Sequence, residues 1–409
     1  MTSALHLDVS ALLGAAEAAA PAGGVDAVAV ALADMLGAKE VSFLIADISG
    51  GVLVRLTRAP KTGPAAQRPA HERVDIAGSV QGTALRTQRV QQVLASDGVW
   101  LHAPVTQRGE TVGVLELLLD GPVEPAVERS VSQAAHALAY VVIADRRYSD
   151  LYEWGQRTSP LELSAEIQRR LLPTSYTCEA SQFSMSGWLI PANEAGGDTF
   201  DYILDRDTLH LSMTDAMGHG VQAAQLATLG VGSLRNSRRR GAGVVEMAQT
   251  ASRAVAEHAR QDQFVTGQVL RLDLASGALD LVNAGHPNPL LVRGGVVDDL
   301  ALDADPAFGV SPGLPYQVQR RQLEPGDRLV LLTDGMYERN AGAAQIDTLL
   351  ATLTDLHPRE AVQVLTDSVL KATGGKMLDD ATALVLDWYG GPARDRGTNA
   401  GAGIGLASS

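Results

Sequence analysis

The sequence contains a single cysteine, Cys178, among its 409 residues. One thiol forms neither an internal disulfide nor a thiolate zinc cluster, so both are excluded as stabilising features. An excess of positive charge is also missing, because 47 acidic residues outnumber 33 basic ones and the formal net charge is -14. This balance argues against nucleic-acid and anionic-membrane partners, and the short run Arg238-Arg239-Arg240 does not offset it.

Long apolar runs are missing as well. The most apolar helical stretch lies around Leu138 to Ala144, far short of the ~20 residues that a helix needs to span a bilayer. No lysine or arginine precedes Lys39, which does not fit the charged start of a secretory signal. We therefore expect a cytoplasmic protein without a membrane segment, long enough for two or three domains.

The N-terminal part alternates alanine-rich helical stretches with β-like runs. Two of these runs, Leu101 to Val105 and Val112 to Leu119, flank the turn Arg108-Gly109-Glu110 and predict an antiparallel hairpin. Earlier runs at Val41 to Ala46 and Val52 to Leu56 extend the sheet, and helices at both ends are expected to cover one face.

This part resembles a GAF domain over residues 10–145. The matching segments are Gly82-Thr83-Ala84-Leu85, Arg89-Val90, Ala103-Pro104-Val105 and Gly109-Glu110-Thr111-Val112-Gly113-Val114-Leu115. The resemblance implies either a small-molecule sensor or a packing and dimerisation module without ligand. The absence of cysteine here disfavours a covalent bilin, and we interpret His71, His102 and His136 as packing or surface residues rather than haem ligands.

Two helices are predicted to connect this domain to the rest. The first spans Ser132 to Tyr152, and its apolar residues have near-heptad spacing, interrupted by Asp145. They are Ala134, Leu138, Val141, Tyr148 and Tyr152. The stripe predicts a parallel helix pair in a homodimer, or a helix packed on its own domain.

The second helix has clear start and stop signals in the sequence. Ser159 is expected to cap it, Pro160 to begin it, Glu162 to complete a capping box, and Pro173 to follow its last residue. Its apolar face consists of Leu163, Ile167 and Leu171. That face is predicted to contact the C-terminal part of the chain or the same helix of a second subunit; the alternative is a passive spacer.

Four aspartates stand at the ends or starts of predicted strands. The alternating run Leu209 to Met213 leads to Asp215, and Arg328 to Thr333 leads to Asp334. Asp379 precedes the strand Thr382 to Trp388, and Asp198 follows Gly196-Gly197. In an antiparallel sheet, strand ends and neighbouring strand starts share one edge, so these carboxylates are expected to converge. Oxygen ligands of this kind suit Mg²⁺ or Mn²⁺ and predict a two-metal hydrolase site.

The order of motifs from about residue 160 to 389 resembles the bacterial metal-dependent serine/threonine phosphatases of the PPM superfamily, in the SpoIIE-like branch. The matching segments are Gln168-Arg169-Arg170-Leu171-Leu172-Pro173, Pro191-Ala192-Asn193-Glu194-Ala195-Gly196-Gly197-Asp198-Thr199-Phe200-Asp201, Asp215-Ala216-Met217-Gly218-His219-Gly220, Asn283-Ala284-Gly285-His286-Pro287, Leu323-Glu324-Pro325-Gly326-Asp327, Thr333-Asp334-Gly335 and Asp379-Asp380-Ala381-Thr382. The resemblance implies an α+β chain with a C-terminal α-β-β-α sandwich. The expected domains are a sensor at 1–145, a helical connector at 146–176, a phosphatase domain at 177–389 and a disordered tail at 390–409.

The resemblance also implies roles for particular residues. Asp198, Asp215, Asp334 and Asp379 would be the catalytic metal ligands, with Asp215 bridging two Mn²⁺ or Mg²⁺ ions and the backbone carbonyl of Ala216 as a further ligand. Asp201 and Asp380 match acidic positions of less definite role. His219 and His286 lie in glycine-rich turns, where we expect structural hydrogen bonds rather than catalysis.

The expected reaction is hydrolysis of phosphoserine or phosphothreonine by an activated water, with the cations stabilising the attacking and leaving oxygens. The family branch implies a phosphorylated anti-sigma factor antagonist as the substrate, with regulation through the GAF domain. One alternative is a diguanylate cyclase, since Gly196-Gly197-Asp198-Thr199-Phe200 resembles its signature with Thr199 in place of glutamate. Another is a phosphatase-like scaffold without turnover.

Overall fold

The computed structural model describes residues 7–59, 72–158, 160–192, 196–260, 262–337, 345–375, 377–392, 398–399 and 401–403. The chain divides into two compact units. The first comprises residues up to Pro160 together with the segment from Arg396, and the second runs from Leu161 to Asp395. Within the described ranges, every helix is too short or too polar to cross a membrane.

The first unit contains a six-stranded antiparallel sheet in the order β3-β2-β1-β6-β5-β4. Its strands are β1 (Glu40–Ala46), β2 (Val52–Ala59), β3 (Arg73–Asp75), β4 (Gln91–Ala95), β5 (Gly98–Gln107) and β6 (Glu110–Leu119). Its helices are α1 (Val9–Ala18), α2 (Gly24–Leu36), α3 (Val80–Thr87), α4 (Pro125–Asp145) and α5 (Leu151–Gln156). The hairpin prediction is confirmed by β5 and β6, which are joined at Arg108 and Gly109, with φ angles of 48° and 78°.

The expected continuous helix to Tyr152 is wrong. Helix α4 ends at Asp145, and α5 begins only at Leu151. Tyr148, in the interruption, is 76% exposed, whereas Tyr152 is buried and its hydroxyl donates to Asp145 Oδ2 (3.4 Å). The remaining stripe residues of α4 are buried in the unit's own core. The stripe therefore packs on its own domain, the second of the two interpretations.

The second unit contains two antiparallel sheets. The first has the order β15-β12-β11-β10-β9 and the second the order β14-β13-β16-β17-β8-β7. The strands are β7 (Thr177–Glu179), β8 (Phe183–Ile190), β9 (Asp198–Leu204), β10 (Thr208–Ala216), β11 (Val265–Asp273), β12 (Ala278–Ala284), β13 (Leu290–Arg293), β14 (Val296–Asp299), β15 (Gln319–Gln322), β16 (Arg328–Leu332) and β17 (Ala381–Trp388). The helices are α6 (Leu163–Leu171), α7 (Gly220–Arg239), α8 (Val244–His258), α9 (Ile346–Thr352) and α10 (Pro358–Ala372).

Apolar clusters hold these elements in four layers. Leu209, Leu211 and Met213 of β10 face the second sheet and join Phe200 and Leu384 in the central core. A second cluster lies between the first sheet and helices α7 and α8, and a third between the second sheet and helices α9 and α10. The layer order is helix, sheet, sheet, helix, as expected, because each sheet buries its inner face on the other sheet and its outer face under helices.

Helix α6 begins later than its sequence signals predict. Ser159 lies outside the described residues, and Glu162 is the N-cap, without a side-chain capping bond, so the predicted start at Pro160 is wrong. Ser164 and Gln168 form the buried face, whereas Leu163 is 65% exposed. Polar contacts, rather than the predicted apolar stripe alone, therefore attach α6 to its own unit.

Part of the tail expected to be disordered has regular structure. Residues of β18 (Thr398–Asn399) pair with β19 (Ala402–Gly403), and Ala402 is 1% exposed. The backbone N–H of Gly109 donates to the carbonyl of Gly401 (3.2 Å). This described segment packs into the first unit, so the disorder prediction is wrong for it.

Candidate active site

The predicted aspartates lie at one edge of the second unit. Asp198 begins β9, and Asp215 stands one residue before the end of β10. Asp334 begins a short 3₁₀ turn after β16, and Asp379 precedes β17. Because β9 and β10 belong to one sheet and β16 and β17 to the other, the site lies where the edges of both sheets meet.

Asp198 and Asp215 are direct partners in the register of β9 and β10. Side chains at such positions lie about 4.5–5.5 Å apart at Cβ, and like charges there repel. Burial raises the pKa of Asp198 well above its ordinary value, and Asp215 and Asp380 raise it further. Burial also raises the pKa of Asp215 to about 7, with added repulsion from Asp334, Asp379 and Asp380.

The pKa of Asp379 is raised too, first by burial and then by Asp334 and Asp380, while the N–H of Asp380 opposes the shift. Each of the four predicted ligands thus interacts electrostatically with at least one other acidic side chain of the group. The structure brings together the carboxylates of Asp198, Asp215, Asp334 and Asp379 as electrostatic neighbours.

Two threonines orient Asp198. Its Oδ2 accepts hydrogen bonds from Thr333 Oγ1 (2.7 Å) and Thr382 Oγ1 (2.6 Å). Thr333 stands directly before Asp334, so this bond also ties the start of β9 to the second sheet. Both threonines are fully buried, and Asp198 is 1% exposed. These contacts leave the other carboxylate oxygen, Oδ1, as the donor atom of Asp198 for a ligand.

Asp380 has a structural position beneath the glycine turn. Its Oδ1 accepts from the N–H of Ala192 (2.7 Å), and its Oδ2 accepts from the N–H groups of Gly196 (3.1 Å) and Gly197 (3.3 Å). A longer bond from the N–H of Asp198 (3.4 Å) completes the set. The Asp380 carboxylate therefore accepts hydrogen bonds from the backbone N–H groups of the turn that presents Asp198. These bonds compensate for the burial of Asp380, which is 2% exposed.

Sequence reasoning missed the role of Gln168. Its Nε2 donates to Asp380 Oδ2 (2.5 Å) and to the carbonyl of Asp198 (2.9 Å), so helix α6 bonds directly to the residues that form the site. In the sequence Gln168 is marked only as the first residue of the segment Gln168-Arg169-Arg170-Leu171-Leu172-Pro173, and its burial, at 2% exposed, is visible only in the structure. Gln168 is a positioning residue.

Gly197 makes room for two of the proposed ligand atoms. A Cβ atom at this position would lie 2.7 Å from the carbonyl oxygen of Ala216 and 3.0 Å from Asp215 Oδ1. Those two oxygens therefore border the same small space. Gly218 and Gly220, with φ angles of 100° and 69°, then allow the sharp turn from β10 into α7.

We expect Gly197→Ala to lower the metal-dependent phosphatase activity that the motif resemblance implies by about 10²-fold, because displacement of reacting groups by ~1 Å has effects of that size. Steady-state hydrolysis of a phosphoserine peptide at increasing Mn²⁺ concentration measures the loss. Gly232→Ala is the matched control, since its Cβ meets nothing within 4 Å in helix α7. Equal activity of both variants would contradict the assigned packing.

The donor set fits hard divalent cations, because it consists of oxygen atoms whose mutual repulsion a cation would relieve. As they stand, the described residues contain no group of three or more His, Cys, Asp or Glu side chains arranged to hold a metal ion. A metal pair at this site would be held by oxygen atoms of five residues: the carboxylates of Asp198, Asp215, Asp334 and Asp379 and the backbone carbonyl of Ala216.

Asp201 lies apart from this group. It forms ion pairs with Arg235 (2.9 Å) and Arg238 (3.1 Å), which attach β9 to α7.

His286 is buried. Its ring Nδ1 is 2.9 Å from Thr266 Oγ1, and its backbone N–H donates to Asn283 Oδ1 (2.8 Å). Burial lowers the pKa of His286 to about 4, so the ring is neutral near pH 7. A structural role for His286, as expected, fits these contacts.

The second unit is similar in sequence to known phosphatases. Residues 205–389 match the family model of stage II sporulation protein E (SpoIIE). The phosphoserine phosphatase RsbU of Bacillus subtilis (strain 168) is 24% identical over 238 residues, which is 56% of this chain and 70% of RsbU. The phosphoserine phosphatase RsbP of the same strain is 26% identical over 216 residues, which is 51% of this chain and 52% of RsbP.

The second unit contains a SpoIIE-type serine/threonine phosphatase domain. The enzyme class is therefore that of a hydrolase, as predicted. The matched segment includes Asp215, Asp334 and Asp379 and begins after Asp198. Because the match extends through motifs that a cyclase does not explain, the phosphatase domain replaces the cyclase alternative.

Solved structures resemble part of the phosphatase domain. The RsbU and RsbW domains of Rv1364c from Mycobacterium tuberculosis align with a TM-score of 0.47 and 26% identity, over 53% of this chain and 63% of that one. The phosphatase domain and a regulatory fragment of SpoIIE from Bacillus subtilis align with a TM-score of 0.45 and 19% identity, over 53% of this chain and 66% of that one. The GAF resemblance of the first unit stays a prediction.

Proposed function

We propose that this protein removes phosphate from phosphoserine or phosphothreonine of an anti-sigma factor antagonist in the cytoplasm. The observation that supports this most is the meeting of Asp198, Asp215, Asp334 and Asp379 at one edge of a domain that matches SpoIIE. Burial and repulsion between carboxylates raise the pKa values of Asp198, Asp215 and Asp379 in this group. The substrate is inferred from the family branch.

We propose that the four aspartates and the carbonyl of Ala216 hold two Mg²⁺ or Mn²⁺ ions. Two such ions supply charge stabilisation for the attacking and leaving oxygens and lower the pKa of a water. Asp215 and Asp198, opposed across two strands, hold the centre of the site, and Thr333 and Thr382 fix the orientation of Asp198. Asp380 and Gln168 hold the turn that presents Asp198.

A metal-dependence assay tests the proposal. The full chain is incubated with a phosphoserine-bearing anti-sigma factor antagonist from the same genome, and phosphate release is followed with EDTA, Mg²⁺ or Mn²⁺. We expect release only with a cation. A calorimetric Mn²⁺ titration separates the enzyme from a scaffold: no Mn²⁺ binding together with no release would support the scaffold and overturn the proposal.

We further propose that the first unit regulates the phosphatase through helix α6. Gln168 connects α6 to Asp380 and to the carbonyl of Asp198, so a displacement of α6 alters the support of the site. The GAF-like unit would bind a small molecule, and the chain would act as a homodimer. Sedimentation with and without candidate ligands tests the last two statements.

We expect Ile167→Asp to change phosphatase activity, because Ile167 is half-buried on α6 directly beside Gln168, and a charge there shifts the helix. Turnover, oligomeric state and ligand response are measured on the full chain. Leu163→Asp is the matched control, with the same substitution at a site that is 65% exposed. If Ile167→Asp leaves all three readouts at the wild-type values, α6 is only a spacer.

A further inference from the structure

A cavity lies at the opposite end of β10 from Asp215. It has a volume of about 530 Å³ and is bordered by the turn that joins α7 to α8. His210, on its floor, precedes Asp215 by five residues, and a strand rises about 3.4 Å per residue, so the two are roughly 17 Å apart. The cavity is therefore separate from the group of aspartates.

Positive charge is concentrated in this cavity although the whole chain is acidic. Arg238 of α7 and Arg271 of β11 line it, against one carboxylate, Asp205. Arg238 is already paired with Asp201 (3.1 Å), whereas Arg271 is 46% exposed and reaches Asp280 only at 4.0 Å. The guanidinium of Arg271 is thus available for a further anionic partner.

His210 supplies a second polar group. It is the direct register partner of Arg271, and its Nδ1 is buried without a hydrogen-bond partner in the described part of the chain. Burial lowers the pKa of His210, and the charges of Arg238 and Arg271 lower it further, whereas the charge of Asp205 raises it. Because Nδ1 has almost no accessible surface, a ligand in the cavity would meet His210 at the exposed part of the ring rather than at Nδ1.

The N-terminus of α8 forms another wall. Helix α8 is 15 residues long, and its N-cap, Gly243, provides no side-chain cap, so the first N–H groups have no capping acceptor from a side chain. A Cβ at Gly241 or Gly243 would meet nothing within 4 Å, which shows that this backbone borders open space. Backbone N–H groups at such a helix end favour anions. The exposed Glu246 in the first turn is the one acidic residue of that turn.

We propose that this cavity binds a small phosphate-bearing ligand of nucleotide type. The phosphate would contact Arg271, His210 and the start of α8. The apolar body would lie on Ile203 and Leu204, which border the cavity and are 45% and 39% exposed. The volume lies within the 300–1,000 Å³ typical of small-molecule sites. Nothing in the proposed phosphatase reaction requires this site.

Calorimetric titration of the full chain with AMP, inorganic phosphate and adenosine tests the proposal. We expect AMP to bind at least tenfold more tightly than either fragment, and Arg271→Ala to weaken AMP by about tenfold or more, since charge-assisted hydrogen bonds have effects of that size. His210→Ala should weaken AMP as well. Binding should survive Asp215→Asn, which separates the cavity from the phosphatase site.

Arg253→Ala is the matched control, because it removes the same charge from the exposed surface of α8, outside the cavity. The proposal is overturned if AMP does not bind, if Arg271→Ala and Arg253→Ala bind it equally, or if Asp215→Asn abolishes binding. Equal affinity for phosphate and AMP would overturn the nucleotide assignment. Failure of the phosphatase assay would leave this result unaffected.

Discussion

Replacement of Asp215 by asparagine is expected to abolish metal-dependent phosphatase activity, with a loss of at least about 10³-fold. Loss of one preorganised charge-stabilising group already lowers kcat by about 10²–10³-fold, and Asp215 is proposed to contact both cations. Initial rates of phosphate release at saturating Mn²⁺ provide the measurement. Asp298→Asn, which removes an exposed carboxylate from β14, is the control and should retain wild-type rates.

The same substitution should stabilise the protein in EDTA. Because burial and the neighbouring carboxylates raise the pKa of Asp215 to about 7 from its ordinary 3.8, its contribution to stability is fully present below about pH 4. That contribution is lost as the pH rises through about 7. At pH 8, the melting temperature of Asp215→Asn should therefore be higher than that of the wild type. Below pH 4, the two melting temperatures should be equal. Retained turnover, or a lower melting temperature at pH 8, would contradict the role.

The second large effect concerns Glu116 in the first unit. Its Oε2 accepts from Arg55 Nη1 (2.6 Å) and Ser42 Oγ (3.0 Å), and its Oε1 accepts from Gln81 Nε2 (2.7 Å). His102 Nδ1 lies 3.2 Å from the same Oε1. The side chains of Arg55 and Glu116 are only 7% and 3% exposed. Glu116→Ala removes the buried carboxylate and leaves Arg55 with Glu72, which is 45% exposed, as its acidic partner (2.9 Å). We expect a loss of about 3–5 kcal/mol in the free energy of unfolding, because a buried ion pair is broken from one side.

Urea denaturation of the full chain, followed by a probe in the first unit, measures this loss. Asp120→Ala is the matched control, since it breaks the exposed pair of Lys39 and Asp120 (2.5 Å) in the same unit. Exposed pairs contribute about 0–1 kcal/mol. Equal losses in the two variants would show that the buried network has no special weight.

The pH dependence of this network has the opposite sign to that of Asp215. Burial raises the pKa of Glu116, but the hydrogen bonds and the charge of Arg55 outweigh it and lower the pKa to about 2 from 4.5. The stabilisation is therefore present above about pH 4.5 and lost as the pH falls towards 2. Glu116→Ala should remove this acid-sensitive component from the unfolding transition of the first unit.

Local patterns predicted the strands and the large helices well. The alternation of Leu209, Leu211 and Met213 with His210 placed β10 correctly, because a strand with one apolar face has a period of two. The hairpin at Arg108 and Gly109 followed from turn chemistry alone. The glycine turn after Asp215 was also readable, since few other residues adopt the angles of Gly218 and Gly220.

Long-range contacts were not readable in the same way. The helix breaks after Asp145, and this break allows Tyr152 to be buried in the core of the first unit. The local sequence does not indicate whether this arrangement or a continuous helix is more stable. Helix α6 starts at Leu163 with Ser164 and Gln168 buried in its own unit, and its N-cap residue makes no side-chain capping bond. Propensity is a weak guide wherever tertiary burial competes with it.

The sequence by itself determined the ligand chemistry of the candidate site: four aspartates beside small residues, at strand ends and starts, in a fixed order. Only the tertiary structure decided which polar groups support them. Gln168 and Asp380 are 212 residues apart in the chain, and their hydrogen bond exists because two sheets and helix α6 meet at one edge. Strand periods and turns depend on neighbouring residues, whereas such a bond depends on the packing of the whole domain.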